Sequence, residues 1–258
     1  MTRKTAVTVE RRGRIATVRF DRGERLNALG PPLIEELTEV ARSFENDLET
    51  NVIVVTGTRE CFSSGADLKD NAYWDPERSA LERRHLIHGG GRLCKAWEEL
   101  PQVTIAAISG LAVGAGCAFA LACDWRVMDR DAYFIVPEVR IGMNLQWNTV
   151  PRLVSLVGPA RAKRITLLCE KIHAPEIFAW GLVDRLSDEP GGSVDLALEW
   201  AGIVAEFDPL TVRMVKEAIT VTASALDRGL SYADADQSML GSSLNAALRR
   251  VPGKDARG

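Results

Sequence analysis

From Val103 to Ala122 the chain is apolar almost throughout, yet Ser109, Gly110, Gly114 and Gly116 interrupt it. A membrane span needs about 20 apolar residues without such breaks. Glycines at these positions instead divide the run into a buried strand, a tight turn and a buried helix. The N-terminal MTRKTAVTVERRGR has no apolar stretch either, so neither a secretory leader nor a membrane anchor is expected. The 258 residues suffice for one large domain or two small ones. Thirty-two Lys+Arg against 35 Asp+Glu give a net charge of −3 without a basic run. That balance offers no footprint for nucleic acid or for an anionic membrane surface. Five cysteines, an odd number without CxxC spacing, are expected as reduced thiols in a cytoplasmic protein. Three histidines without HExxH spacing predict no metal site.

The order of elements predicts an α/β class. Val7 and Val9 alternate with polar residues up to a turn at Arg12-Gly13, and the alternation resumes from Ile15 to Phe20, so a hairpin is expected. Pro31-Pro32 opens a helix carrying Leu33, Leu37, Val40, Ala41 and Phe44 at the helical period. The runs Val52–Val55 and Ile105–Ile108 read as buried strands, Gly110–Gly116 as a connection and Cys117–Cys123 as a buried helix. Residues 77 to 99 read as helical with a break at Gly89-Gly90-Gly91. Beyond Ser193 only helices are expected: Val194–Glu206, Pro209–Ala223 and Tyr232–Arg250. The shift suggests a core over residues 1–200 and a helical region over 201–258, packed on the core or on a neighbouring subunit.

Two turns carry chemical potential. Cys61–Lys69 (CFSSGADLK) and Ser109–Ala118 (SGLAVGAGCA) each follow an apolar strand, and the second leads straight into a helix. Small residues let backbone N–H groups approach a ligand, and a helix N-terminus adds a positive dipole end. Facing one another, two such turns can bind the carbonyl oxygen of an ester or thioester as an oxyanion hole. A dinucleotide reading of Gly114-Ala115-Gly116 fails at Phe119, where a third small residue is needed, and an NAD-dependent oxidoreductase has only that fragment behind it. Neither a GxSxG elbow nor a GxxxxGK[ST] loop occurs.

These segments resemble the crotonase (enoyl-CoA hydratase/isomerase) family. Phe62–Leu68 is similar to its FxxGADL segment, Ile105 through Asp124 to AAVxGxAxGGGxxLAxxCD, and Arg25–Leu29 to KLNAL. Pro137-Glu138 with Ile141-Gly142 matches PExxLG, and Arg152-Leu153, Val157-Gly158 and Gly181-Leu182-Val183 follow in order over residues 7 to 190. The resemblance implies a spiral of ββα units with a C-terminal helical region, assembled as a homotrimer or hexamer. It implies an acyl-CoA substrate, with coenzyme A as part of that substrate and no separate cofactor. The amides of Ala66 and Ala115 would form the oxyanion hole and stabilise an enolate. Arg25, Ala28, Ser64 and Leu68 would line the CoA, while Gly114 and Trp147 would also contact substrate.

The family's hydratases carry two glutamates. In register the first falls on Ala118, which cannot titrate, and the second on Glu138. One carboxyl suits shuttling a single proton between carbons of an enoyl thioester, so double-bond isomerisation is narrowly favoured. Hydration with Glu138 and a bound water is the alternative, and a non-catalytic acyl-CoA-binding protein is a third reading. Where the family carries a glycine-rich PGAGG, this chain has Leu145-Gln146-Trp147-Asn148-Thr149, and Trp147 with Leu145 would reshape the acyl pocket. The usual C-terminal pattern is replaced by Leu244–Arg250, so no basic side chain such as Arg249 or Arg250 is assigned to CoA. Asp67 and Asp124 are read as structural acceptors, His85 and His88 as packing residues, and Trp74, Trp97 and Met143 as core or pocket wall. Asp129-Arg130-Asp131 and Glu82-Arg83-Arg84 are read as solvated faces.

Overall fold

The computed structural model describes residues 5–225, apart from 71, 73, 74 and 76, together with 233–249; the side chains of Arg25 and of residues 242–249 lie outside that description. Trp74 and Arg250 therefore fall outside the described residues. Alternation near the N-terminus forms the expected hairpin, β1 (Val7–Arg12) and β2 (Ile15–Phe20), with Val7 opposite Phe20. Next to it run the parallel strands β3 (Val52–Thr56) and β4 (Val103–Ile108), every residue of which is buried. Their continuous apolar sequences need cover on both faces, and the fold supplies it. With β6 (Trp125–Asp129) and β9 (Arg185–Ser187), the described strands give a six-stranded sheet in the order β1-β2-β3-β4-β6-β9.

A second sheet departs from the sequence reading. Residues 110–116 are not merely a connection: they contain β5 (Leu111–Val113), which pairs with β7 (Tyr133–Ile135), itself joined by β8 (Ile172–His173). Strands of two or three residues are too short to show a period. The chain therefore advances by placing one strand in the main sheet and a short one in the second sheet, then a helix. That repeated step is a spiral of ββα units.

One face of the main sheet is covered by α1 (Pro31–Phe44), α3 (Gly89–Glu98) and α4 (Ala115–Leu121), with α2 (Ala80–Ile87) leading into α3. A capping box between Ser79 and Glu82 starts α2, and the three glycines separate it from α3. Phe20, Phe62, Phe119 and Trp97 form the aromatic centre, with Phe20 edge-to-face on Phe62 at 5.2 Å, Trp97 edge-to-face on Phe119 at 5.3 Å and the Trp97 indole donating to the Leu37 carbonyl at 3.1 Å. After α5 (Thr149–Leu168), interrupted at Gly158 and Pro159, come α6 (Ala174–Ala179) and α7 (Ser193–Ala205).

Helix α7 covers the other face of the sheet, packing Ala197, Ala201 and Val204 on Val52, Val54, Ile105 and Val127. Residue 200 lies within this helix, so the cover of the sheet continues to residue 205. The tail adds α8 (Pro209–Ala223) and α9 (Asp234–Arg249). All five cysteines are free and buried, and burial raises the thiol of Cys61 to about 11 and those of Cys94 and Cys123 to about 12. No described helix is long and apolar enough to cross a membrane.

Asp129 corrects the reading of residues 129–131 as a solvated face. It is 2% exposed, and its carboxylate accepts the backbone N–H groups of Gly191 and Ser193, each at 2.8 Å, at the start of α7. Those donors have no partner within the helix, and the carboxylate also suits the positive dipole end. Asp129→Ala is expected to lower the unfolding free energy by about 1–3 kcal/mol in urea denaturation. Asp131→Ala, at an exposed position, should leave it within about 0.5 kcal/mol.

Candidate active site

The two turns singled out in the sequence lie side by side, joined by main-chain bonds. The Phe62 N–H donates to the carbonyls of Ser109 (3.0 Å) and Leu111 (3.1 Å), the Ser63 N–H to Leu111 (3.1 Å), and the Val113 N–H to Ser63 (2.9 Å). At the junction the backbones are close enough to exclude side chains. A Cβ on Gly116 would stand 2.8 Å from the Ser63 carbonyl oxygen. Gly65 has φ +95, and a Cβ there would meet the Val113 oxygen at 2.7 Å and the Ala115 nitrogen at 3.7 Å. Glycine is required at residue 65 for both its conformation and the space.

Ala66 follows between two bonds to Leu29: the Leu29 N–H donates to Gly65 (2.7 Å) and the Asp67 N–H to Leu29 (3.1 Å). Ala115 is the first residue of α4, where a helix leaves its N–H groups without internal partners. Among the described residues, neither the Ala66 nor the Ala115 amide meets a protein acceptor. Both are thus main-chain donors on adjacent turns without a protein acceptor among the described residues.

Glu138 approaches from the 3₁₀ turn that follows β7 (Glu138–Ile141). Gly114 has φ +49, and a Cβ on it would collide with the Glu138 carboxyl, whose Cδ would lie 3.3 Å away. The carboxyl therefore rests against the Cα of the residue that precedes Ala115. Its Oε2 is buried without a hydrogen-bond partner among the described residues. Burial alone raises the Glu138 pKa, from 4.5 to about 7, against a smaller lowering by its own backbone. At neutral pH such a group both accepts and gives a proton. Ala118, one turn along α4, is 1% exposed and belongs to the core.

Other candidates gather around the first turn. Ala28 is buried beside Leu29, Ser64 is half-buried with its N–H on the Leu26 carbonyl at 2.9 Å, and Leu68 is exposed. Arg25 begins a short 3₁₀ turn, Arg25–Asn27, in which Leu26 (φ +48) and Asn27 (φ +55) are left-handed. No local pattern in the sequence announces what holds that turn. The buried Asn27 side chain accepts from the Arg22 N–H (2.8 Å) and donates to the Phe20 carbonyl (3.0 Å), and Ser63 Oγ donates to the Asn27 carbonyl (2.9 Å).

Asp67 is structural as read, paired with Arg22 at 2.7 Å, and Asp124 receives the Thr104 N–H at 2.7 Å and Lys216 Nζ at 2.6 Å. His88 pairs with Asp236 of α9 at 2.9 Å, and His85 packs by Arg92. Trp147 is buried, its indole lying on Gly90 of α3.

Comparison with known proteins places the chain in a family. The family model for enoyl-CoA hydratase/isomerase matches residues 10–254. The short-chain-enoyl-CoA hydratase of Clostridium acetobutylicum is 33% identical over 83% of this chain and 80% of its own length. The (E)-benzylidenesuccinyl-CoA hydratase of Thauera aromatica is also 33% identical, over 88% of this chain and 87% of its own. Among solved structures, an enoyl-CoA hydratase from Bacillus anthracis superposes with a TM-score of 0.79 at 28% identity, covering 92% of this chain and 90% of that one. An enoyl-CoA hydratase/isomerase from Xanthobacter autotrophicus Py2 gives 0.84 at 28% identity, covering 92% and 87%. With two facing turns, a carboxyl set against them and a match along nearly its whole length, this chain belongs to the enoyl-CoA hydratase/isomerase family.

Proposed function

We propose that the protein binds an acyl-CoA thioester with its carbonyl oxygen between the amides of Ala66 and Ala115, and that Glu138 moves a proton at Cα of the resulting enolate. The observation that carries this reading is the buried, unpartnered Oε2 of Glu138 against Gly114, next to the second amide. Two N–H dipoles lower the energy of charge arriving on the thioester oxygen, and each such donor is worth about 10²–10³ in rate. Small side chains suffice, because the donors are main-chain. Ala28, Ser64, Leu68 and the Arg25 turn border the first amide and suit the CoA portion. A pyrophosphate at Gly114 would meet the Glu138 carboxyl, which disfavours the dinucleotide reading.

A single carboxyl favours migration of a double bond: Glu138 takes a proton from Cα of a β,γ-enoyl thioester and returns it to Cγ of the dienolate, leaving the double bond between Cα and Cβ. The names of the relatives favour a second reading, addition of water to an α,β-enoyl thioester, in which Glu138 handles the proton of a bound water. Incubation with β,γ-enoyl-, α,β-enoyl- and 3-hydroxyacyl-CoA and identification of the products separates the two. If none reacts and no Cα proton exchanges with D₂O, the protein is an acyl-CoA binder without catalysis. The exposed Leu210, Met214, Ile219 and Val221 on α8 support placing a neighbouring subunit of a homotrimer or hexamer against the C-terminal helices.

Glu138→Gln is expected to reduce turnover about 10²–10⁴-fold while acyl-CoA affinity, read by titration calorimetry, changes little. With a base titrating near 7, kcat/KM should rise with pH up to about 7 and then level. Stability carries the same signature. A carboxyl whose folded pKa is raised penalises the fold when ionised, so the penalty is absent below the unfolded value of 4.5 and complete above about 7. Glu138→Gln should therefore be more stable than the wild type at about pH 8.5, by up to about 3 kcal/mol, and gain nothing at about pH 4.

A further inference from the structure

The segment after Glu138 holds Trp147 in a costly conformation. Trp147 (φ +63) and the next residue, Asn148 (φ +59), are both left-handed, although neither is glycine. Such residues persist only where the surroundings over-determine them, and they gather at functional sites. Three attachments do so here. Arg152 Nη1 donates to the carbonyls of Trp147 (2.7 Å) and Asn148 (3.1 Å), while the rest of its guanidinium forms a fork with Glu98 of α3 at 2.7 and 2.8 Å. The Asn148 N–H donates to Asp234 at the start of α9 (2.9 Å), and Asn144 and Gln146 bond to Asp234 and Ser238 of that helix. The third attachment is the indole itself, which fills the place a Cβ on Gly90 would take.

Gly90 and Cys94 lie four apart on α3 and so share a face, about 6 Å apart. The Cys94 thiol donates to the Ala118 carbonyl at 3.6 Å. Ala118 in turn is one helical turn from Gly114 and the Glu138 carboxyl. Through Gly90 and Cys94 of α3 the indole is thus linked to Ala118 of α4, whose small side chain lies one helical turn from Gly114. It is 8% exposed, and Leu145 beside it in sequence is 9% exposed.

Resting on the functional reading above, we propose that Trp147, seated on Gly90 and fixed by Arg152 and Asp234, closes the acyl end of the site and restricts the substrate to short acyl groups. Gly90 is a specificity residue in this arrangement, because any side chain there would displace the indole. Asp234 and Arg152 are positioning residues, acting on substrate only through the Trp147 turn.

Titration calorimetry of the full chain with free CoA, butyryl-CoA and dodecanoyl-CoA tests the proposal without turnover. The wild type is expected to bind butyryl-CoA about tenfold or more tighter than dodecanoyl-CoA. Trp147→Ala should shift that ratio about tenfold towards the longer chain and leave affinity for free CoA unchanged. Trp147→Phe, which keeps most of the packing, should shift it in the same direction by less. Asp234→Asn, which retains an acceptor for the Asn148 N–H, should keep the wild-type ratio, whereas Asp234→Ala should move it towards that of Trp147→Ala. Equal binding of both esters by the wild type, or a ratio unchanged in the folded Trp147 variants, overturns the proposal. Should none of the variants fold, the wild-type ratio alone decides. Failure of the wild type to bind either ester would instead overturn the functional reading on which it rests.

Discussion

Main-chain pairing of Phe62 and Ser63 with Leu111 and Val113 is the constraint on which the site depends. Four hydrogen bonds between these short segments bring together turns that are separated by a strand and two helices in sequence. Gly65 and Gly116 allow the approach because they leave no side chain at the junction. The core behind the turns repeats the same contact: Phe62, next to the first turn, stacks at 6.0 Å on Phe119 from the helix that follows the second. Packing and hydrogen bonding thus fix one spacing, and the amides of Ala66 and Ala115 inherit it. Preorganised dipoles of this kind need no reorganisation when charge arrives.

Electrostatics complete the arrangement by omission. Among the described residues Glu138 meets neither a cation that would hold it ionised nor a second carboxylate that would hold it protonated, and burial raises its pKa to about 7. A nearby lysine would lower that value, and full exposure would return it to the usual carboxylate range. The same dry surroundings explain the cost of the site to the fold. Ionisation at neutral pH puts charge where no described residue offers a compensating partner, a common conflict between stability and activity.

Much of this was legible in the sequence, for physical reasons that differ by element. Strands β3 and β4 announce themselves because both faces are buried and nearly every residue is apolar. Helix α1 shows a stripe, and Pro209 marks the start of α8. The two turns were visible as small residues after apolar strands, and family register brought Glu138 to them. The second sheet was hidden, since the three residues of β5 have no period and its partner Tyr133–Ile135 lies beyond α4 and β6. Asp129 looked like one charge among three, because the amides it caps come from residues 191 and 193. Gly90 read simply as a helix breaker. Its service to Trp147, and the hold of Asp234 on Asn148, involve partners 57 and 86 residues away, which no local pattern records.

The buried thiols have a consequence of their own. With pKa values of about 11 to 12, Cys61, Cys94 and Cys123 hold almost no thiolate at neutral pH, and they are shut off from reagents as well. They are placed in different parts of the spiral: Cys61 at the first turn, Cys94 on α3, Cys117 within α4, Cys123 just past it and Cys169 at the end of α5. Alkylation must then wait for a local opening, so the order in which the five are labelled would chart which turn of the spiral loosens first. The chain carries its own set of native breathing reporters, spread along the spiral.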